Sequence, residues 1–222
     1  MDIDTLKSLF NNASNAEKAG KMSSYMKNQF LYLGIQKPER AALEKAFIKA
    51  NNKRSYTELK ETILTLWNQP EREFQYTAME LMIKSKIWNH AEAITLFETC
   101  VLEKSWWDTV DLLSSRMIGP YFQQFPEQRD VYIERWLNGD NMWLQRTCII
   151  FQLNYKLATD VALLFAFIIK HMDSKAFFIR KAIGWALRQY ARTNPEAVIQ
   201  FVNSHPLSPL SRREALKHFK DA

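Results

Sequence analysis

Glycine and proline are scarce in this chain, with 5 and 7 of the 222 residues. That suits long helices joined by short turns. The glycines are isolated, so no phosphate-cradling loop can be drawn. Cysteine is rarer still: Cys100 and Cys148 both stand in apolar helical contexts without C-x-x-C spacing, which fits two buried, reduced thiols. The four histidines, His90, His171, His205 and His218, are scattered, with no H-x-x-x-H pair and no Cys/His cluster. No metal and no cofactor are therefore expected. The most apolar stretch, Val161 to Ile169, is too short to span a bilayer. Met1-Asp2-Ile3-Asp4 has neither the basic nor the apolar region of a secretory signal, so a cytoplasmic location and no membrane are expected.

What the chain does have is helical periodicity from end to end, never yielding to the alternation of strands. Its length is ample for a sizeable core. Short helices are expected over Asp4–Phe10 and Asn15–Asn28. One from Pro38 to Ala50 follows the Leu33-Gly34-Ile35 turn, and Ser55–Trp67 opens on a capping box of Ser55 and Glu58. Beyond these the helices come in pairs. First members are Asn89–Leu102, Glu127–Leu137, Thr159–Met172 and Pro195–Ser204; second members begin near Glu71, Trp106, Met142, Ala176 and Ser211. Steps of about 35 residues in an all-helical chain mark an α-solenoid. The Trp, Leu-Gly and Tyr pattern of tetratricopeptide repeats is absent, which leaves HEAT-like pairs. No linker interrupts the array, so the expectation is one all-α, superhelical domain over 1–222.

Charge is unevenly placed on that frame. From His171 onward nine basic residues face four acidic ones and carry +5 of the net +6. This points to a polyanionic partner or to a solvated basic surface. Aligning the second helices puts Tyr76, Asp111, Arg146, Arg180 and Arg213 at one repeat position. Equivalent positions line one surface of a solenoid, so a basic concave face is expected; a purely structural Asp/Arg ladder would space the residues in the same way. Trp106-Trp107-Asp108-Thr109-Val110-Asp111 is the densest unusual segment. Trp107 and Asp111 share a helix face at i and i+4, Trp106 points about 100° away toward the core, and Asp108 is placed to cap the first turn.

Several segments, in order and on this grid, carry a resemblance. They are Tyr25-Met26-Lys27 with Phe30 and Leu33-Gly34-Ile35, Trp106-Trp107-x-x-x-Asp111, Trp143-Leu144-Gln145-Arg146, and Ile179-Arg180-Lys181-Ala182-Ile183-Gly184-Trp185-Ala186-Leu187-Arg188. Over essentially its whole length the chain resembles the AlkD-type family of alkylpurine DNA glycosylases. It departs at Leu31, where relatives often carry Pro. The resemblance implies that Asp111 is the catalytic carboxylate and that Trp107 and Trp185 flank the deoxyribose of the damaged nucleotide. It implies that Arg146 and Tyr25 hold the DNA backbone, with Gln36 near the duplex and Arg180 and Arg188 on the DNA-binding wall. The implied partner is double-stranded DNA containing alkylated bases, bound by a monomer associated with the nucleoid. Two other readings stay open: a non-catalytic HEAT-repeat protein for branched or distorted DNA, and a protein-binding scaffold. Asp111 and Arg146 together favour the enzyme over the first.

Overall fold

Most helix starts in this protein are set by side-chain caps and prolines. The computed structural model describes residues 1–219. Lys220, Asp221 and Ala222, which enter the charge count and the expected 1–222 array, lie outside the described residues. Contacts divide the chain into two compact units, Met1–His90 and the residues from Ala91 onward.

The first unit holds α1 (Ile3–Asn12), α2 (Ala16–Tyr25), α3 (Lys37–Asn51), α4 (Tyr56–Trp67) and α5 (Arg72–Ser85). Asp2 and Asn15 cap α1 and α2 by accepting from the N–H groups of Thr5 and Lys18. The Ser55–Glu58 capping box forms as expected at the start of α4. On α4, Leu59, Thr62, Ile63, Leu66 and Trp67 are buried, the i, i+3, i+4, i+7, i+8 stripe of a helix with one face in the core. That face packs on α5, which also packs on α3.

The second unit holds α6 (Ala93–Leu102), α7 (Trp107–Leu113), α8 (Gly119–Gln124), α9 (Pro126–Asn138), α10 (Met142–Ile150), α11 (Val161–His171), α12 (Phe177–Tyr190), α13 (Pro195–Ser204) and α14 (Pro209–Ala215). Here α10 packs on α7 and on α12, and α12 packs on α14, while α9, α11 and α13 lie against these second members. Within this unit the pairs stack in chain order, as in an α-solenoid. Among the described residues no β-strand forms; a single bridge joins Leu31 and Glu71. No helix among them is long and apolar enough to cross a membrane. Cys100 and Cys148 are free and buried, and burial pushes both thiols well above the ordinary range.

Gly119-Pro120 stands directly after a distortion of the helix. Pro120 has no N–H for the carbonyl four residues back, and its ring crowds that turn. The chain widens into a π turn over Ser114–Ile118 directly after α7. Gly119 is fixed here by contact, since a Cβ would lie 2.5 Å from the Phe151 carbonyl oxygen.

Gly184 sets the spacing of α12 on α14. A Cβ there would lie 2.4 Å from the Glu214 Cβ and 2.8 Å from the Ser211 carbonyl oxygen. Gly184→Ala therefore forces the two helices apart. A loss of about 1–3 kcal/mol is expected, read as a lowered melting temperature by circular dichroism. A melting curve identical to wild type would show that this contact relaxes without cost.

Candidate functional site

Asp111 and Arg146 meet directly. Asp111 stands one turn into α7 and Arg146 in the middle of α10, which Asn141 starts by accepting from the N–H groups of Trp143 and Leu144. Arg146 Nε donates to Asp111 Oδ1 at 2.7 Å and Nη2 to Oδ2 at 2.9 Å, a bidentate pair. Arg146 Nη1 donates to the Phe178 carbonyl of α12, so three successive second helices are tied through one guanidinium. Arg146 is 4% exposed, while the Asp111 side chain keeps 16% of its surface open to solvent.

Burial pushes the Asp111 carboxyl above the usual carboxylate range, and the Arg146 hydrogen bonds and charge pull against that shift. The backbone below is fixed as well. Two serines of the π turn do this: Ser115 Oγ donates to the Asp111 carbonyl at 2.7 Å, and Ser114 Oγ donates to the Val110 carbonyl at 2.6 Å with Thr147 Oγ1 of α10 3.0 Å away.

Trp106, expected to join the core, is half-buried in an aromatic cluster. Its ring lies 5.9 Å from Trp143 and 5.2 Å from Phe178, and those two lie 4.9 Å apart. This aromatic box supports the turn whose Phe178 carbonyl takes Arg146. Asp108, by contrast, is not the cap of α7. Trp106 occupies that position without a side-chain cap bond, and Asp108 sits inside the first turn, where its charge complements the helix N-terminus. Trp107 opens α7 half-buried, on the Asp111 face by its i, i+4 spacing. Trp185 is half-buried on α12, two turns beyond Phe178 on the same side of that helix.

The row of arginines is less uniform than the repeat grid implied. Arg146, expected at the DNA backbone, gives its guanidinium to Asp111 and Phe178. Arg188, also expected at the DNA, turns to α14 and donates to the Glu214 carboxylate and carbonyl, both at 2.8 Å. Lys181 joins Glu214 at 2.9 Å, and the two cations hold that carboxyl at about 2. Arg180 is half-buried with Nε donating to the Ser174 carbonyl, which leaves its charge unpaired by any acid among the described residues. Arg213 is exposed. So one arginine of the row pairs with an aspartate, one bonds a carbonyl and one faces solvent.

Tyr25 and Gln36 belong to the first unit. Tyr25 ends α2 with 71% of its surface exposed, and Gln36 is the exposed N-cap residue of α3. Between them lies a buried network that the sequence did not reveal. The Glu73 carboxylate, fully buried, accepts from the N–H groups of Leu33, Gly34 and Ile35 at 2.9–3.1 Å. Gly34 has φ 87°, and a Cβ there would lie 2.2 Å from the Asn15 carbonyl oxygen, so only glycine closes the turn. Arg72, also fully buried, sits over the Phe30 ring at 3.8 Å. The Tyr32 and Tyr76 hydroxyls are 3.0 Å apart. No spacing signal in the sequence marks Arg72-Glu73 as a buried anchor.

Among the described residues no group of three or more His, Cys, Asp or Glu could hold a metal ion. The second unit is thus an all-helical repeat scaffold whose distinguishing feature is a nearly buried, arginine-clamped carboxylate beside tryptophans. The model of the DNA alkylation repair enzyme family matches residues 6–219, and the chain belongs to that family. A solved structure described as a predicted DNA alkylation repair enzyme from Enterococcus faecalis is similar to it at 35% identity. The match has a TM-score of 0.88 and covers 94% of this chain and 98% of that one. No match is found among the curated proteins.

Proposed function

We propose that this protein is a DNA glycosylase that hydrolyses the N-glycosidic bond of cationic N3- and N7-alkylated purines in duplex DNA. The observation that carries this reading is the Asp111 carboxylate, clamped in both oxygens by Arg146 yet still partly open to solvent. Alkylation at N3 or N7 makes the purine a cation, so it departs as a neutral base and needs no general acid. Positive charge moves to the sugar as the bond breaks. A fixed carboxylate beside the anomeric carbon stabilises that oxocarbenium-like state and orients the water that adds to it.

Opposite charges 4 Å apart attract by about 4 kcal/mol at an effective dielectric of 20. The substrate is already cationic, so only the increment gained as charge approaches Asp111 lowers the barrier. That increment is roughly 2–4 kcal/mol, the scale of one preorganised electrostatic group. Trp107 and Trp185 faces toward the sugar would add on the order of 1–2 kcal/mol each. Arg146 then acts as a positioning residue for Asp111, while Arg180, Arg213 and Tyr25 supply phosphate contacts and Gln36 meets the duplex. A monomer working in the cytoplasm at the nucleoid accords with this reading.

A second reading, a non-catalytic DNA-binding module, draws on the same pair: a carboxylate fully engaged by arginine also serves as a structural rung. One assay separates the two. The protein is incubated in single turnover with duplex DNA methylated at purine nitrogens, and free 7-methylguanine and 3-methyladenine are measured. Release above the spontaneous rate is expected, with binding that weakens steeply as salt rises, because phosphate contacts release counterions. Tight, salt-sensitive binding without base release would establish the second reading instead.

A further inference from the structure

A cavity of about 440 Å³ opens in the second unit at the C-terminal ends of α10 and α12, and none of its lining residues belongs to the Asp111–Arg146 site. Its floor is apolar, made by Ile149, Leu153, Leu164 and Ala186. Its rim carries two cations, Lys156 from the loop between α10 and α11 and Arg192 just past α12, and no lining residue is acidic.

The loop wall is preformed. Gln152 Oε1 accepts from the Asp160 N–H at 2.8 Å and Gln152 Nε2 donates to the Asp160 carbonyl at 3.2 Å, which closes the two ends of the loop on each other. Tyr155 Oη donates to the Gly119 carbonyl at 2.6 Å and pins the middle. Lys156 itself is held at φ 54°, in the left-handed region that disfavours residues with a Cβ. Leu157, beside it, is 91% exposed at the mouth.

Cations near helix C-termini commonly complement the carbonyls of the last turn. Here three of those carbonyls, from Leu187, Gln189 and Tyr190, already have partners. Leu187 O accepts from the Ala191 N–H, Gln189 O from Arg192, and Tyr190 O from Thr193 and Asn194. Among the described residues neither the Lys156 ammonium nor the Arg192 guanidinium makes a hydrogen bond or ion pair with a protein side chain or carbonyl. Two unpaired cations therefore stand over an apolar cavity of the size that takes small ligands.

The geometry points to a binding site for a small organic anion with an apolar tail, a medium-chain carboxylate in the simplest case. The tail fills the floor between α10, α11 and α12, and the carboxylate lies between Lys156 and Arg192. Calorimetric titration of the whole protein with octanoate tests this, with octylamine as the same tail carrying the opposite charge. Saturable octanoate binding with a dissociation constant below about 1 mM is expected, and octylamine is expected to bind at least roughly tenfold more weakly. Arg192→Glu and Lys156→Glu, both at exposed positions, are each expected to weaken octanoate about tenfold, the scale of losing one charge-assisted contact, with melting curves unchanged. Failure of octanoate to saturate, equal binding of octanoate and octylamine, or affinity indifferent to both charge reversals would each overturn the assignment.

Discussion

Replacing Asp111 by Asn is expected to slow release of alkylated purines by roughly 30- to 900-fold while leaving DNA binding nearly intact, the rate equivalent of about 2–4 kcal/mol. Asparagine keeps the shape and accepts one bond from Arg146, but it carries no charge for the sugar cation to approach. Single-turnover excision by the variant, beside its DNA affinity at fixed salt, measures both parts. Excision within a few-fold of wild type would remove Asp111 from the chemistry. The pH profile supplies an independent reading. Burial raises the Asp111 pKa, and the ionised form is the active one, so activity falls with decreasing pH sooner than for an exposed aspartate with pKa about 3.9. The acid limb should vanish from the small residual activity of Asp111→Asn.

Replacing Arg146 by Met removes the partner of a nearly buried carboxylate. A stability loss of about 3–5 kcal/mol is expected, or a melting temperature lower by on the order of 10 °C. The sign of its pH dependence follows from the same pair. Arg146 is what lowers the Asp111 pKa against burial. Without it, the folded-state value moves further above the unfolded one, so the contribution of this group is best retained at low pH and lost as pH rises through the folded pKa. The deficit relative to wild type should therefore be larger at pH 8 than at pH 5, while the acid limb of any remaining excision shifts to higher pH. An equal deficit at both pH values would show that the guanidinium stabilises the helices through the Phe178 carbonyl alone.

The wild-type pair thus has opposed effects. Ionised Asp111 is needed for the proposed chemistry, and holding it ionised in a poorly solvated place lowers stability at neutral pH. The bidentate geometry reduces that penalty without covering the carboxylate, which keeps 16% of its side-chain surface open.

Local signals made most of the helical frame legible. Ser55 with Glu58 announces a helix start because the pair satisfies orphan N–H groups that any helix leaves at its first turn; Asn141, Asp160 and Asn194 do the same in the structure. The 35-residue step placed Asp111 opposite Arg146 because stacked repeats repeat their registers, and the two helices do pack. Their pairing, with Trp106 against Trp143 and Phe178 and Trp107 on the Asp111 face, follows from that register and from the helical angle between neighbours.

What the sequence by itself determined, then, was periodicity: which segments are helices, how far apart they recur, and which residues share a repeat position. Tertiary structure alone decided which charges are spent inside the protein. Arg146, Arg180, Arg188 and Arg213 look alike in sequence. Yet one clamps Asp111, one bonds a carbonyl, one joins Lys181 on Glu214, and one faces solvent. Arg72 and Glu73, which no sequence pattern singles out, are fully buried. The reason is physical: a helix fixes the direction of a side chain, but whether its charge meets water, a carboxylate or a ring depends on what a distant segment brings to that spot.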